Sequence, residues 1–196
     1  MLVDLIAEST MRTLALSLCL AALAIPASAD TLTGSKAKKA LYPAGKAEVL
    51  VLPEANLPAN VATALQQVGA AQPYYGAFAI SPDDGPLTEA SSMAVNFHDI
   101  QAASAFAVAD CNKKKKGKAD CIVAAVIQPK GWKDKGFQLS SQATEGFKDG
   151  YPRKDGAFAI SPSTGGWGVG TGTEAALADC SARNPEVTDC RVVIQN

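Results

Sequence analysis

Four cysteines carry the plainest chemistry in this chain: Cys111 with Cys121, then Cys180 with Cys190, each pair written Cys-x9-Cys. Thiols at a repeated local spacing can oxidise to disulfides, whereas a zinc knuckle places only about two to four residues between its cysteines. His98 is the sole histidine and Asp83-Asp84 stands alone, so no ligand set assembles and no metal or cofactor is expected. Four cysteines allow three pairings. The identical spacings favour Cys111–Cys121 and Cys180–Cys190 over either crossed arrangement. Such a bridge closes a short loop and is worth about 3 kcal/mol in the chain-entropy treatment. Cys19 lies in an apolar N-terminal run and is expected to leave with it.

Other reactive groupings are weaker. His98, Asp99 and the serines Ser81, Ser91 and Ser92 can be written as a hydrolase triad. Adjacent residues of a strand point to opposite faces, so Asp99 would not orient His98. The serines also lack the Gly-x-Ser-x-Gly elbow, and no catalytic residue is expected. Lys113, Lys114, Lys115, Lys116 and Lys118 fall inside the first Cys…Cys loop, where they could hold an anionic polymer or lipid head group. The matching loop, residues 181–189, has Arg183 as its one base beside Glu186 and Asp189. No aromatic residue stands among the lysines to stack a nucleobase. A solvated loop is the plainer reading. Gly165 to Gly172, GGWGVGTG, lacks the register of a phosphate-binding loop. Its alternation puts Trp167, Val169 and Thr171 on one face and glycines on the other, which suits a strand crossed closely by another backbone.

The elements that must position these residues are written twice. Gly-Ala-Phe-Ala-Ile-Ser-Pro occurs as Gly76–Pro82 and as Gly156–Pro162, each followed downstream by Ala-Asp-Cys. Internal repetition of this kind sets architecture before any other signal. The heptapeptide alternates as a half-buried strand ended by Pro. Before it, Leu57, Val61, Leu65 and Val68 in one half, and Leu139, Ala143 and Phe147 in the other, keep the spacing of a helix face. After it come a turn, a second strand, an Ala-rich helix and a β-rich run from the second cysteine. The expected class is α+β: two tandem β-α-β-β-α units, largely antiparallel, with helices on one sheet face and a disulfide staple in each. Unit 1 is placed at 46–120 and unit 2 at 121–196, after a linker at 30–45.

Residues 1–29 read as a secretory leader whose true start is Met11: Met11-Arg12, the apolar run Leu14–Ile25, then Ala27-Ser28-Ala29 before cleavage. The run is too short to span a bilayer. The whole chain of 196 residues has a net charge of −1, and loss of the leader leaves bases and acids balanced. Overall charge therefore favours neither nucleic acid nor a membrane surface as partner.

Along Gly156–Ile194 stand GAFAIS, GGWGVGTG, AALADC and DCRVVI in order, and Gly76–Val126 repeats the pattern with an insertion before its helix. This resembles a group of small exported bacterial domains of unknown function, with a Gly-Ala-x-Ala strand, an Ala-rich helix ending in Cys and a Cys-x-Val-Val strand. The resemblance implies a fold rather than an activity. Some secreted chains of this look carry the label 5-aminolevulinate synthase. Such an enzyme resembles a large pyridoxal-phosphate fold with a Schiff-base lysine and an aspartate on the ring nitrogen, a site this chain does not match. The expectation is an exported, non-catalytic binding or envelope-associated module, its partner an anionic envelope component or another exported protein. The alternatives are a small enzyme with a site between the two units, and an inhibitor-type domain presenting the lysine loop.

Overall fold

A computed structural model describes residues 31–183 and 185–196. The expected leader, residues 1–29, and Cys19 within it lie outside the described residues. Among the described residues five α-helices and seven strands run in the order α1 (Gly34–Ala40), β1 (Ala47–Val51), α2 (Ala59–Ala70), β2 (Gly76–Ile80), β3 (Ser92–Ala94), α3 (Ile100–Lys114), β4 (Ile122–Pro129), α4 (Ser141–Gly150), β5 (Gly156–Ile160), β6 (Trp167–Thr171), α5 (Thr173–Arg183) and β7 (Arg191–Gln195). Two helices start where a small polar side chain takes an orphaned amide: Asp99 caps α3 through the Ala102 N–H, and Ser140 caps α4 through the Ala143 N–H.

The strands form two sheets, ordered β1-β4-β2-β3 and β6-β5-β7, and their ladders are antiparallel. Both copies of the heptapeptide become interior strands. Each shifts register at the same step, between Phe78 and Ala79 and between Phe158 and Ala159. The α+β class and antiparallel pairing expected from the sequence are thus present.

The helices cover both faces of each sheet, not one. Ala77 and Ala79 of β2 pack with Ala103, Ala107 and Cys111 of α3. On the opposite face, Gly69 of α2 lies so close that a Cβ there would sit 2.6 Å from Val49 Cγ2. In the second sheet Ala157 and Ala159 meet Ala176 and Cys180 of α5, while Phe158 and Ile160 join Ala143 and Phe147 of α4. Alanine and glycine let a helix approach a sheet closely, so a face that alternation marks as the lesser one becomes a tight contact. For the same reason β5 is buried along its whole length rather than half-buried.

Two boundaries also move. β4, placed in unit 2 by the expected break at 120/121, lies between β1 and β2 and completes the first sheet. The stretch 30–45, read as a linker, holds α1 and docks on the second sheet. Leu32 exchanges main-chain hydrogen bonds with Val193 and Gln195, the Gly34 N–H donates to Asn196 Oδ1 at 3.0 Å, and Ala37 is fully buried beside Ile194 and Phe147. Tyr42 then fastens the strap to the loop that follows β4: its hydroxyl accepts from the Lys133 N–H at 2.7 Å, and its carbonyl accepts from the Tyr74 hydroxyl at 2.8 Å. The chain's earliest described residues are therefore a strap across both halves.

Candidate functional site

Both disulfides form with the local pairing. Cys111–Cys121 and Cys180–Cys190 have Cα–Cα distances of 6.1 and 6.3 Å, and each ties the end of an Ala-rich helix to the strand that follows. The aspartate before the first cysteine of each pair also repeats a role. Asp110 accepts from Ser92 Oγ on β3 and pairs with Lys114, while Asp179 accepts from the Val169 N–H on β6 and from Arg183 Nε. Each helix end is thereby tied to the edge strand of its sheet. The Lys114 ammonium, with Ser92, holds the Asp110 carboxyl below the usual carboxylate range.

The lysine segment is anchored rather than free-standing. Lys113 and Lys114 end α3, and Lys115 turns inward so that its Nζ meets Ala119 O at 2.7 Å and Asp120 Oδ1 at 2.9 Å. Asp84 accepts the N–H groups of Lys116 and Gly117, and Asp83 those of Lys118 and Ala119. Those backbone bonds, Lys116 first, lower the Asp84 pKa. Two differences between the sequence halves, the acidic turn after the first heptapeptide and the lysine run, therefore form one clamp. Asp83, Asp84, Asp110 and Asp120 offset most of the positive charge that the sequence displays there. Lys113, Lys116 and Lys118 have no ion-pair partner among the described residues.

His98 is 2% exposed and sits at the joint between the halves. Its Nδ1 accepts the Ser140 N–H at 3.1 Å, and its Nε2 lies 2.8 Å from the Gly166 carbonyl, to which it must donate. The ring is therefore the neutral Nε2–H tautomer. Burial pushes its pKa down to about 4, against the raising pull of the Gly166 bond and of Asp99 and Asp189. Asp99 is occupied as the α3 cap and makes no triad with it. Around this ring, Asn96 and Gln142 exchange two hydrogen bonds, and the Ser141 N–H donates to the Tyr74 carbonyl.

The glycine strand packs as its alternation implies. A Cβ at Gly168 would stand 2.1 Å from Cys180 N, and one at Gly170 2.6 Å from Ala175 Cβ. Trp167, on the other face, stacks on Phe158 and carries the Arg183 guanidinium 4.0 Å from its ring centre. Both of its faces are used, so it is no open stacking platform. Beside it a groove of about 610 Å³ runs between the halves. The ionisable groups lining that groove, Glu145, Asp149 and Arg183, all come from the second half.

The larger depression, about 710 Å³, was not signalled by any motif. It opens between the strap and α4. Leu41, Phe147 and Tyr151 give it an apolar floor, and Lys38, Lys148 and Arg153 stand around it with Glu145 as the single acidic side chain. Tyr151 is fixed for this position: its ring lies 4.8 Å from that of Phe147, and its hydroxyl donates to Gly156 O at 2.8 Å. α1 can lie against that ring because position 34 is glycine, where a Cβ would come within 2.7 Å of Tyr151 Cε1. The sequence signal that pointed here was the basic stretch Gly34–Ala40, GSKAKKA, passed over as linker.

Among the described residues no cluster of three or more His, Cys, Asp or Glu could hold a metal ion, and no helix is long and apolar enough to cross a membrane. Comparison with protein-family models, with curated proteins and with solved structures gave no match.

Proposed function

We propose that this chain is an exported, tandem-repeat binding module that acts without catalysis and takes its ligand in the cleft between α1 and α4. The observation that carries this reading is the cleft itself: about 710 Å³, apolar below and cationic around its margin. Small-molecule sites are concave, mostly apolar and of roughly 300–1,000 Å³, with a few polar groups that fix orientation. Of the hydroxyls lining the cleft, Tyr151 donates to Gly156, Thr144 to Leu139 and Tyr42 to Lys133, and Ser35 meets the Thr33 hydroxyl, so none is hydrogen-bonded to a side-chain base. Export is supported by the leader-like residues 1–29 and by two structural disulfides, which persist in oxidising compartments. Likeness to small exported bacterial domains of unknown function fits the same picture. An envelope-directed lysine loop is the weaker site, because carboxylates already compensate it.

Amide-shift mapping of the isotope-labelled protein against a panel of small soluble amphiphiles tests this. Shifts should gather at Gly34, Ser35, Leu41 and Tyr42 and leave residues 113–118 unmoved. A ligand footprint on the lysine loop, or on the groove beside Trp167, would reject the cleft as the binding site.

A further inference from the structure

We infer that the cleft takes a single-chain amphiphile with an anionic carboxylate head. This rests on the reading of the cleft as a ligand site and adds the chemistry of the ligand. Two features set the class. The floor is hydrocarbon and aromatic, with the edge-tilted pair Phe147 and Tyr151 beside Leu41, and it offers few hydrogen bonds to an interior polar group. Around it stand three cations from three different segments: Lys38 on α1, Lys148 on α4 and Arg153 in the loop before β5. None of the three has an ion-pair partner among the described residues.

Glu145 is the one opposing acidic side chain among the lining residues, so the side-chain balance there is positive. Lys114, Lys115 and Arg183 each find a carboxylate close by. Cations left unpaired around an apolar depression attract an anion whose body is apolar. Arg153 adds a planar fork suited to two carboxylate oxygens. The two tyrosines at the cleft, Tyr42 and Tyr151, are committed to main-chain partners through their hydroxyls. A volume of about 710 Å³ accommodates one acyl chain and its head, not a two-chain lipid.

The test uses the full secreted protein and three probes with the same chain, each below its critical micelle concentration: dodecanoate, dodecyltrimethylammonium and dodecyl maltoside. Titration calorimetry should show dodecanoate binding at least about tenfold more tightly than the other two, weakening as salt rises. A Lys38→Ser/Lys148→Ser/Arg153→Ser variant, whose exposed positions leave the core intact, should lose about tenfold in dodecanoate affinity and little for the maltoside. Amide mapping of the wild type should place dodecanoate against Gly34, Tyr42 and Tyr151. Equal affinity for the cationic or neutral probe at the cleft would overturn the anionic class and leave the binding module standing. Absence of binding by all three would overturn both, and undiminished dodecanoate affinity in the triple variant would overturn the role of the cations.

Discussion

Both nitrogens of His98 are committed to main-chain groups, one from each end of the second half's first elements, so protonation must break a bond before it adds a charge. With its pKa held near 4 by burial, against an ordinary value of 6.5, the folded chain binds fewer protons than the unfolded one across that interval. The His98 contribution should therefore be lost as pH drops from about 6.5 to about 4, by roughly 3 kcal/mol, after which the lowered carboxylates Asp84 and Asp110 carry the further loss. Urea unfolding at stepped pH would show this, and His98→Gln should flatten that part of the curve. His98→Ala should cost about 2–4 kcal/mol at neutral pH, because it strands a buried N–H and a buried carbonyl. The clamp of Asp83 and Asp84 makes a second demand. A Cβ at Gly117 would lie 2.3 Å from Asp83 Cβ, so Gly117→Ala should release the lysine segment. Faster hydrogen exchange at Lys118 and Ala119, with the sheet unaffected, is the expected result. The sequence singled out His98 as unique, and its ring nitrogens meet main-chain groups rather than Asp99 or a serine hydroxyl. Its true partners were illegible because they lie 42 and 68 residues away and use backbone groups, which no residue type advertises.

At the scale of elements, glycine and cysteine fix how each Ala-rich helix meets its sheet. Gly168→Ala would drive a methyl into the backbone at Cys180 N and Ala176 O, which cannot yield as a side chain can. A loss of about 3 kcal/mol is expected from thermal or urea unfolding. Gly150→Ala is the matched control: its nearest neighbour would be Val169 Cγ1 at 3.5 Å, so stability should hold or rise slightly. Replacing Cys180 and Cys190 together with Ser should cost about 3 kcal/mol. These contacts were partly legible. Alternation in GGWGVGTG predicted a close crossing, and the identical cysteine spacings predicted the bridges. Hidden from view was the second helix layer. Val68 was read as part of the inward face of α2, yet it is 51% exposed and Gly69 makes the contact. A periodicity that scores large apolar residues overlooks a face built to be small.

For the molecule as a whole, the strap adds a second tie between the halves beside the His98 joint, and it walls the cleft. Deleting residues 31–41 should strip protection from the β7 amide of Gln195, which donates to Leu32 O, by about tenfold or more in exchange rate, while β2 and β4 keep theirs. Equal loss in both sheets would mean that the halves fold as one cooperative unit. The candidate cleft was illegible for the same reason as the strap. Its walls come from residues 34–44, 144–153 and 196, and only the folded chain brings them together. The pairing of Leu32 with Ile194 has a temporal consequence. Leu32 must wait for a partner made far later in synthesis, so the strap cannot dock on the second sheet until β7 has emerged. Closure of that loop is a late and slow event by its length alone. The strap would thereby stay undocked while the first sheet forms, and would lock only once β7 is in place.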